Sequence, residues 1–203
     1  MDIIDKLTEV FKEFPGIGER QARRFVYFLM FKNTGYSQNL SSLLLDLKKE
    51  VAQCAECFRF FILGNKGTKL CEICASPNID SGTLMIVEKD SDLDSVHKSG
   101  VYHGRYFILG GLVPIVEKNT KSRVRIEELK KKINNDSELK EIILAFSLSP
   151  QGDHTDTYVR EELSDMSNKK NIKISSLGRG LSTGTELEYS DNDTLKNALK
   201  NRQ

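Results

Sequence analysis

The sequence predicts an α+β chain assembled from small modules: a helical amino-terminal region, a compact four-cysteine knuckle, an α/β core with a mostly parallel sheet, and a carboxy-terminal extension. Three observations carry that prediction. The four cysteines fall in two matched pairs, Cys54-x2-Cys57 and Cys71-x2-Cys74, with thirteen residues between them. Ahead of them, apolar residues recur at helical spacing on both sides of Pro15-Gly16-Ile17-Gly18. Beyond Pro77, short apolar runs alternate with amphipathic stretches, the pattern of strands joined by helices. At 203 residues, 38% hydrophobic and 29% charged, the chain suits two or three small modules better than one large one. Thirty basic side chains against 29 acidic ones leave a net charge of +1, so any polyanion must be met by a local patch rather than a global field. No run reaches the roughly 18 apolar residues of a membrane helix, and no membrane partner is expected.

Residues 1–53 read as helices around one sharp corner. Asp2 caps a first helix with Ile3, Leu7, Val10, Phe11 and Phe14 at helical spacing, and Pro15 stops it. The pattern resumes at Glu19 with Ala22, Phe25, Val26, Leu29 and Met30 on one face, and Gly35 is expected to end that segment. Ser41 or Ser42 is expected to cap a third helix carrying Leu44, Leu45, Leu47 and Val51. Helix, Pro-Gly-Ile-Gly, helix resembles the helix-hairpin-helix motif. Gly16 and Gly18 let backbone approach a phosphate, and the opening amides of the second helix are unpaired donors at a favourable dipole. Arg20 and Arg24 lie one turn apart and can reach neighbouring phosphates, with Arg23 able to help. Such contacts are blind to base identity. The competing reading is an ordinary helical turn with a solvated arginine face.

Residues 54–77 form the knuckle. Two tight turns aiming two thiolates each at one point suit one structural zinc ion per chain, held by Cys54, Cys57, Cys71 and Cys74 with no open position. Two disulfides would require an oxidising compartment, whereas the chain opens MDIIDKLTEV without an apolar signal segment, so a cytoplasmic location is expected. A redox pair fits less well, because the motif is duplicated and no βα pattern follows it. Phe58 to Leu63 is rich in strand formers and stops at Gly64-Asn65-Lys66-Gly67, which predicts a short hairpin over the metal. Its aromatics can stack on bases, but they more simply pack a minimal core.

Residues 78–177 predict strands at Thr83–Val87, Tyr106–Leu109, Glu141–Phe146 and Ile172–Leu177, with helices at Ser91–Lys98, Ile126–Ile133 and Thr155–Met166. A parallel sheet covered on both faces follows. Glu88, Gly110-Gly111 and the Ser147–Asp153 loop converge at its carboxyl end, where ligands bind in such sheets. Residues 178–203 form the extension, expected to serve oligomerisation, with Leu195, Leu199 and the last basic residues in a closing helix. Its Gly178-x-Gly180 and Thr183-Gly184-Thr185 stretches lack the Gly-Lys-Ser/Thr ending of a phosphate loop.

The order of these features resembles the bacterial recombination mediator RecR family along nearly the whole chain. The likeness rests on Pro15-Gly16-Ile17-Gly18, the four cysteines, Ile86-Val87-Glu88, Tyr102-His103-Gly104-Arg105-Tyr106, Leu109-Gly110-Gly111, and the tail from Gly178-Arg179-Gly180-Leu181 to Leu187-Glu188-Tyr189. The resemblance implies a Toprim-like core in a non-enzymatic, homo-oligomeric clamp, a dimer or tetrameric ring. It further implies that the clamp grips gapped DNA without sequence preference and works with RecO-like and RecF-like proteins to load recombinase. Arg20 and Arg24 match the family's basic DNA-binding positions, and Glu88 is expected to contact a partner. The alternative is a Toprim-type magnesium-dependent nuclease or topoisomerase-like enzyme, in which a glutamate after the first strand acts with a later Asp-x-Asp pair. Glu88 fills the first role, but Ser147-Leu148-Ser149-Pro150-Gln151-Gly152-Asp153 offers no acid pair. Gln151 stands where many relatives keep a glutamate, which bears on any contact needing an acid there. Asp90, Asp92 and Asp94 read as a solvated loop and helix start, and His97, His103 and His154 have no recognisable nucleophile beside them.

Overall fold

In the computed structural model the described residues are 1–64, 67–116, 124–178, 180, 181, 184 and 186–200. Chain contacts divide the protein into two units, Met1–Ala52 and Gln53–Gln203.

In the first unit, α1 (Ile3–Lys12) starts where Asp2 accepts a hydrogen bond from the Asp5 amide at 2.8 Å. The chain then turns through Gly16, whose φ of +77° is left-handed backbone that suits glycine. Gly18 precedes α2 (Glu19–Met30) and gives it no side-chain cap. The two helices bury Thr8, Ala22 and Val26, and the Phe11 ring packs against Phe14 and Phe25 at centroid distances of 5.9 and 5.8 Å. Thr8 satisfies its buried hydroxyl on the Ile4 carbonyl at 2.8 Å. The third helix departs from expectation. It runs from Thr34 to Glu50 (α3), so Gly35 lies in its first turn and neither Ser41 nor Ser42 caps it. The cap is Asn33, whose side chain accepts from the Tyr36 amide at 2.8 Å; asparagine is among the strongest N-caps and outweighs the glycine two positions later. Leu44, Leu45 and Leu47 remain exposed on α3.

In the ribbon, β1 (Val51–Gln53) pairs with β2 (Phe60–Ile62). The strand in Phe58–Leu63 therefore exists, but its partner precedes the cysteines and the predicted hairpin across Gly64–Gly67 is not the pairing. Asn65 and Lys66 of that hairpin lie outside the described residues. The cysteine turn itself produces this arrangement. Phe58 donates its amide to the Cys54 carbonyl at 3.0 Å and takes a left-handed φ of 65°, which reverses the chain so that the Cys54 amide reaches the Arg59 carbonyl at 2.8 Å.

The core follows the predicted alternation: β3 (Asp80–Val87), α4 (Asp90–Ser99), β4 (Gly104–Ile108), α5 (Ile126–Asn134), β5 (Glu141–Ala145), α6 (Pro150–Lys170) and β6 (Lys173–Ser176). Strand order is β4-β3-β5-β6 and every pairing is parallel. The period of two sorts the strand residues cleanly. Leu84, Ile86, Phe107, Leu109, Ile142 and Leu144 point to the face covered by α5 and α6. Met85, Val87, Tyr106 and Ile108 point to the other, where they share a cluster with Leu93 of α4 and with Cys54, Cys57, Cys71 and Ile73. The second face of the sheet is thus roofed by one helix and the cysteine knuckle, whereas sequence alternation had pointed to helices.

The sixth helix starts five residues earlier than expected, at Pro150 rather than Thr155. Ser149 accepts the Gly152 amide at 3.1 Å, and Pro150 occupies the first turn, where its missing N–H costs nothing. Arg160 ties this helix to β6, donating to Asp156 at 2.6 Å, the Ile174 carbonyl at 3.0 Å and Ser176 at 2.6 Å. The tail contributes a 3-10 turn at Leu187–Tyr189 and α7 (Asn192–Lys200), begun by Asp191, which accepts from the Thr194 amide at 2.8 Å. Arg179, Ser182, Thr183 and Thr185 of the glycine-rich reading, and residues 201–203 of the predicted closing helix, lie outside the described residues. No helix among the described residues is long and apolar enough to cross a membrane.

Candidate metal centre and nucleic-acid interface

The two Cys-x2-Cys turns are built alike. The first cysteine of each accepts a backbone hydrogen bond from the residue four positions later, Phe58 to Cys54 at 3.0 Å and Ala75 to Cys71 at 3.0 Å. Each turn therefore presents its two thiols on one side. The four Sγ atoms gather within 4.8 Å of one another, with Cys57 and Cys71 at 3.6 Å. Zinc bound to four thiolates at about 2.3 Å spaces its sulfurs about 3.8 Å apart, so the cluster suits such an ion. No thiol is bonded to another. The chemistry of the donor set points the same way. Hydrogen bonding among Cys57, Cys71 and Cys74 pulls Cys71 far below the usual thiol range and pushes Cys57 and Cys74 well above it. Thiolates packed this closely repel one another, and a cation at their centre would favour all four. The Cys71 amide also donates to Cys54 Sγ at 3.4 Å.

What fastens the knuckle to the sheet includes residues that sequence reasoning passed over. Arg59 bridges Glu72 at 2.9 Å and Asp94 at 3.4 Å, while Asp90 accepts the Phe60 amide at 2.7 Å. Asp90 and Asp94 are thus clasps rather than a merely solvated helix start. The only signal available was a carboxylate spacing of one helical turn. The Ile108 amide donates to the Cys57 carbonyl at 2.9 Å. Phe58 packs its ring on Phe107 at 5.2 Å and lies beneath the Arg125 guanidinium at 5.2 Å. Of the expected core aromatics, Phe58 and Phe61 pack inward and Phe60 is exposed.

Glu88 follows β3 directly. Because the chain steps from β3 to β4 on one side and from β5 to β6 on the other, Glu88 sits at the topological switch of the sheet. Its carbonyl accepts the Gly110 amide at 3.0 Å, which draws Gly110-Gly111 alongside. The Ser147–Asp153 segment opens α6 from the neighbouring strand β5, with Gln151 exposed in its first turn. Among the described residues, the four cysteines are the one group of three or more Cys, His, Asp or Glu ligand atoms gathered at a point, so no such group forms around Glu88. His97 and His103 are exposed and His154 is half-buried.

At the glycine corner the three arginines divide. Arg20 and Arg24 are exposed on successive turns at the start of α2. Arg24 holds Gln21 at 3.3 Å, and Arg23 is turned to α1, paired with Asp5 at 3.2 Å.

Comparison with known proteins decides the family. A family model described as the Toprim domain matches residues 82–177, and one described as RecR, C-terminal matches residues 180–203. The chain is 33% identical over 200 residues to the recombination protein RecR of Bacteroides thetaiotaomicron, covering 98% of this chain and 93% of that one. It is 32% identical over 200 residues to the RecR of Lactobacillus acidophilus, with 98% and 96% covered, and 31% over 198 residues to that of a Cyanothece species, with 98% and 94% covered. The chain belongs to the RecR family. As a RecR-family protein it carries a Toprim domain whose sheet is the β4-β3-β5-β6 layer, and its RecR carboxy-terminal match begins just past β6. Its four-cysteine cluster precedes the Toprim match in sequence but shares a hydrophobic core with it.

Proposed function

We propose that this RecR-family protein acts in recombinational DNA repair as a non-catalytic mediator. It forms a homo-oligomeric clamp, a dimer or tetrameric ring, that holds gapped DNA in the bacterial cytoplasm and works with RecO-like and RecF-like proteins. One zinc ion per chain, on Cys54, Cys57, Cys71 and Cys74, keeps the knuckle folded. The observation that carries the DNA reading is the exposed Arg20 and Arg24 pair beside the first turn of α2, where no side chain caps the amides after Gly18. Free amides at the positive end of a helix flanked by two guanidiniums are suited to backbone phosphates. Gly16 shapes the corner and Arg23 holds α1 against α2 through Asp5. Glu88, at the sheet's switch point and in no gathered group of three or more ligand atoms among the described residues, is assigned to a partner rather than to magnesium chemistry.

Replacing Arg20 and Arg24 by alanine is expected to weaken DNA retention about thirtyfold per engaged hairpin near physiological salt and to lower the salt slope by about two per hairpin. Metal content and oligomeric state stay unchanged. Unchanged retention would reject the corner as the DNA surface and leave an assembly adaptor. Glu88→Gln is expected to leave DNA retention intact while weakening binding to a RecO-like protein. Magnesium-dependent cleavage or relaxation that disappears in this variant would establish the enzyme reading instead.

A further inference from the structure

One cleft belongs neither to the cysteine cluster nor to the Glu88 end of the sheet. It measures about 320 Å³ and lies between the second cysteine pair, the carboxyl end of α4 and the turn into β4. Glu72, Asn78, His97, Tyr102, His103 and Tyr106 are among its lining residues. Tyr106 is 1% exposed and its Oη has no hydrogen-bond partner among the described residues. A buried hydroxyl in that condition costs about 1–3 kcal/mol, so a group that reaches it is favoured. Aromatic rings meet at near right angles here: Tyr102 against Tyr106 at 5.1 Å and 80°, His97 against Tyr106 at 6.4 Å and 87°. Tyr102 commits its hydroxyl to the Arg105 carbonyl at 2.9 Å, so its ring is what it has left to offer.

The sign of a ligand that would fit follows from charge. No lysine or arginine lines the cleft, and its one carboxylate is Glu72, which accepts from Arg59 through Oε1 and is otherwise largely exposed. α4 ends at Gly100 on the same wall and places its negative pole there. Burial pushes Tyr102 up to about 12 and raises Tyr106, so both rings stay neutral with electron-rich faces. Aromatic faces and a helix carboxyl end, with no lysine or arginine in the lining, are the surroundings of a cation.

We propose that this cleft receives a single arginine side chain from a partner protein. A guanidinium is planar, stacks on rings and carries donors that can satisfy Tyr106, which a lysine ammonium does less well. One helix pole and two neutral ring faces suit one positive charge, not the several of a polyamine.

The test is NMR titration of the full-length, metal-loaded protein with acetyl-arginine amide, its neutral isostere acetyl-citrulline amide, acetyl-glutamate amide and spermidine. The arginine amide is expected to shift the His97, Gly100 and Gly104 amides saturably, with the citrulline amide at least about tenfold weaker. Tyr106→Phe, which removes the orphan hydroxyl without adding volume, and His97→Ala, at an exposed wall, each weaken the arginine probe with metal content and oligomeric state unchanged. Equal binding of the citrulline or glutamate amide overturns the proposal, as does the absence of saturable shifts or an unchanged affinity in both variants. Tighter binding of spermidine overturns the protein source and makes the site one for free polyamines.

Discussion

With the proposed zinc ion on the four cysteines, stripping it with a chelator, or replacing Cys71 by serine, is expected to lower the thermal midpoint by about 10–20 °C, corresponding to roughly 5 kcal/mol in a chain of this size. The loss exceeds that of a detached bead because the knuckle is the roof of the sheet. Cys54, Cys57 and Cys71 are buried in the same cluster as Met85, Val87, Tyr106 and Ile108. Without a cation, four sulfurs within 4.8 Å of one another cannot all be thiolates, and the two turns have little else to hold them together. The damage should therefore appear in the core itself. Amide exchange at Tyr106 and Ile108 is expected to accelerate on chelation together with that of Cys57, while Ile142 and Leu144, beneath α5 and α6, lose less. If β4 amides stay protected in the metal-free protein, the second face of the sheet stands without its roof and the coupling drawn here is wrong. Metal analysis of the purified protein should return about one atom per chain.

Gly152→Ala is expected to destabilise the fold by about 3 kcal/mol, a fall in the midpoint of roughly 6–12 °C. A Cβ at that position would lie 1.9 Å from the Ser147 carbonyl oxygen. Backbone cannot swing aside as a flexible side chain can, so either the Ser147–Ser149 turn or the first turn of α6 must move. That segment also carries Gln151 and stands over the switch point beside Glu88. The substitution should therefore weaken partner binding beyond its effect on stability. Gly64→Ala provides the contrast: nothing lies within 4 Å of the added methyl, and its effect is expected to stay below about 0.5 kcal/mol. A Gly152→Ala protein with normal stability would mean that the tight approach to Ser147 relaxes freely.

Much of this was legible because local signals agreed with the fold. The repeated Cys-x2-Cys pair announced a thiol cluster, and the thiols do converge. The apolar runs of the core marked β3 to β6 to within three residues at either end, since β3 and β4 are buried on both faces and β5 on one. Misreadings arose where a short-range competitor won. Gly35 looked like a terminator, yet Asn33 two positions earlier supplied a stronger start signal. Gly64 to Gly67 looked like a hairpin turn, yet the cysteine turn had already reversed the chain at Phe58. No local pattern could disclose that Arg59 would find Asp94, or that Arg23 would find Asp5 while Arg20 and Arg24 stayed exposed, because those choices depend on how elements meet. The roofing role of the knuckle was equally hidden: it is a relation between Cys57 and Ile108, 51 residues apart in the sequence.

That relation has a further consequence. β4 is an outermost strand, and its outward amide at Ile108 is occupied by the Cys57 carbonyl. A bare strand margin is a template on which other chains add themselves, and proteins usually blunt it with charge, proline or a covering loop. With the proposed zinc ion in the knuckle, the blunting device would depend on that ion. Metal-starved molecules would do more than soften: they would expose a flank ready for cross-chain β-pairing, so the first visible symptom of zinc depletion should be clumping rather than monomeric unfolding.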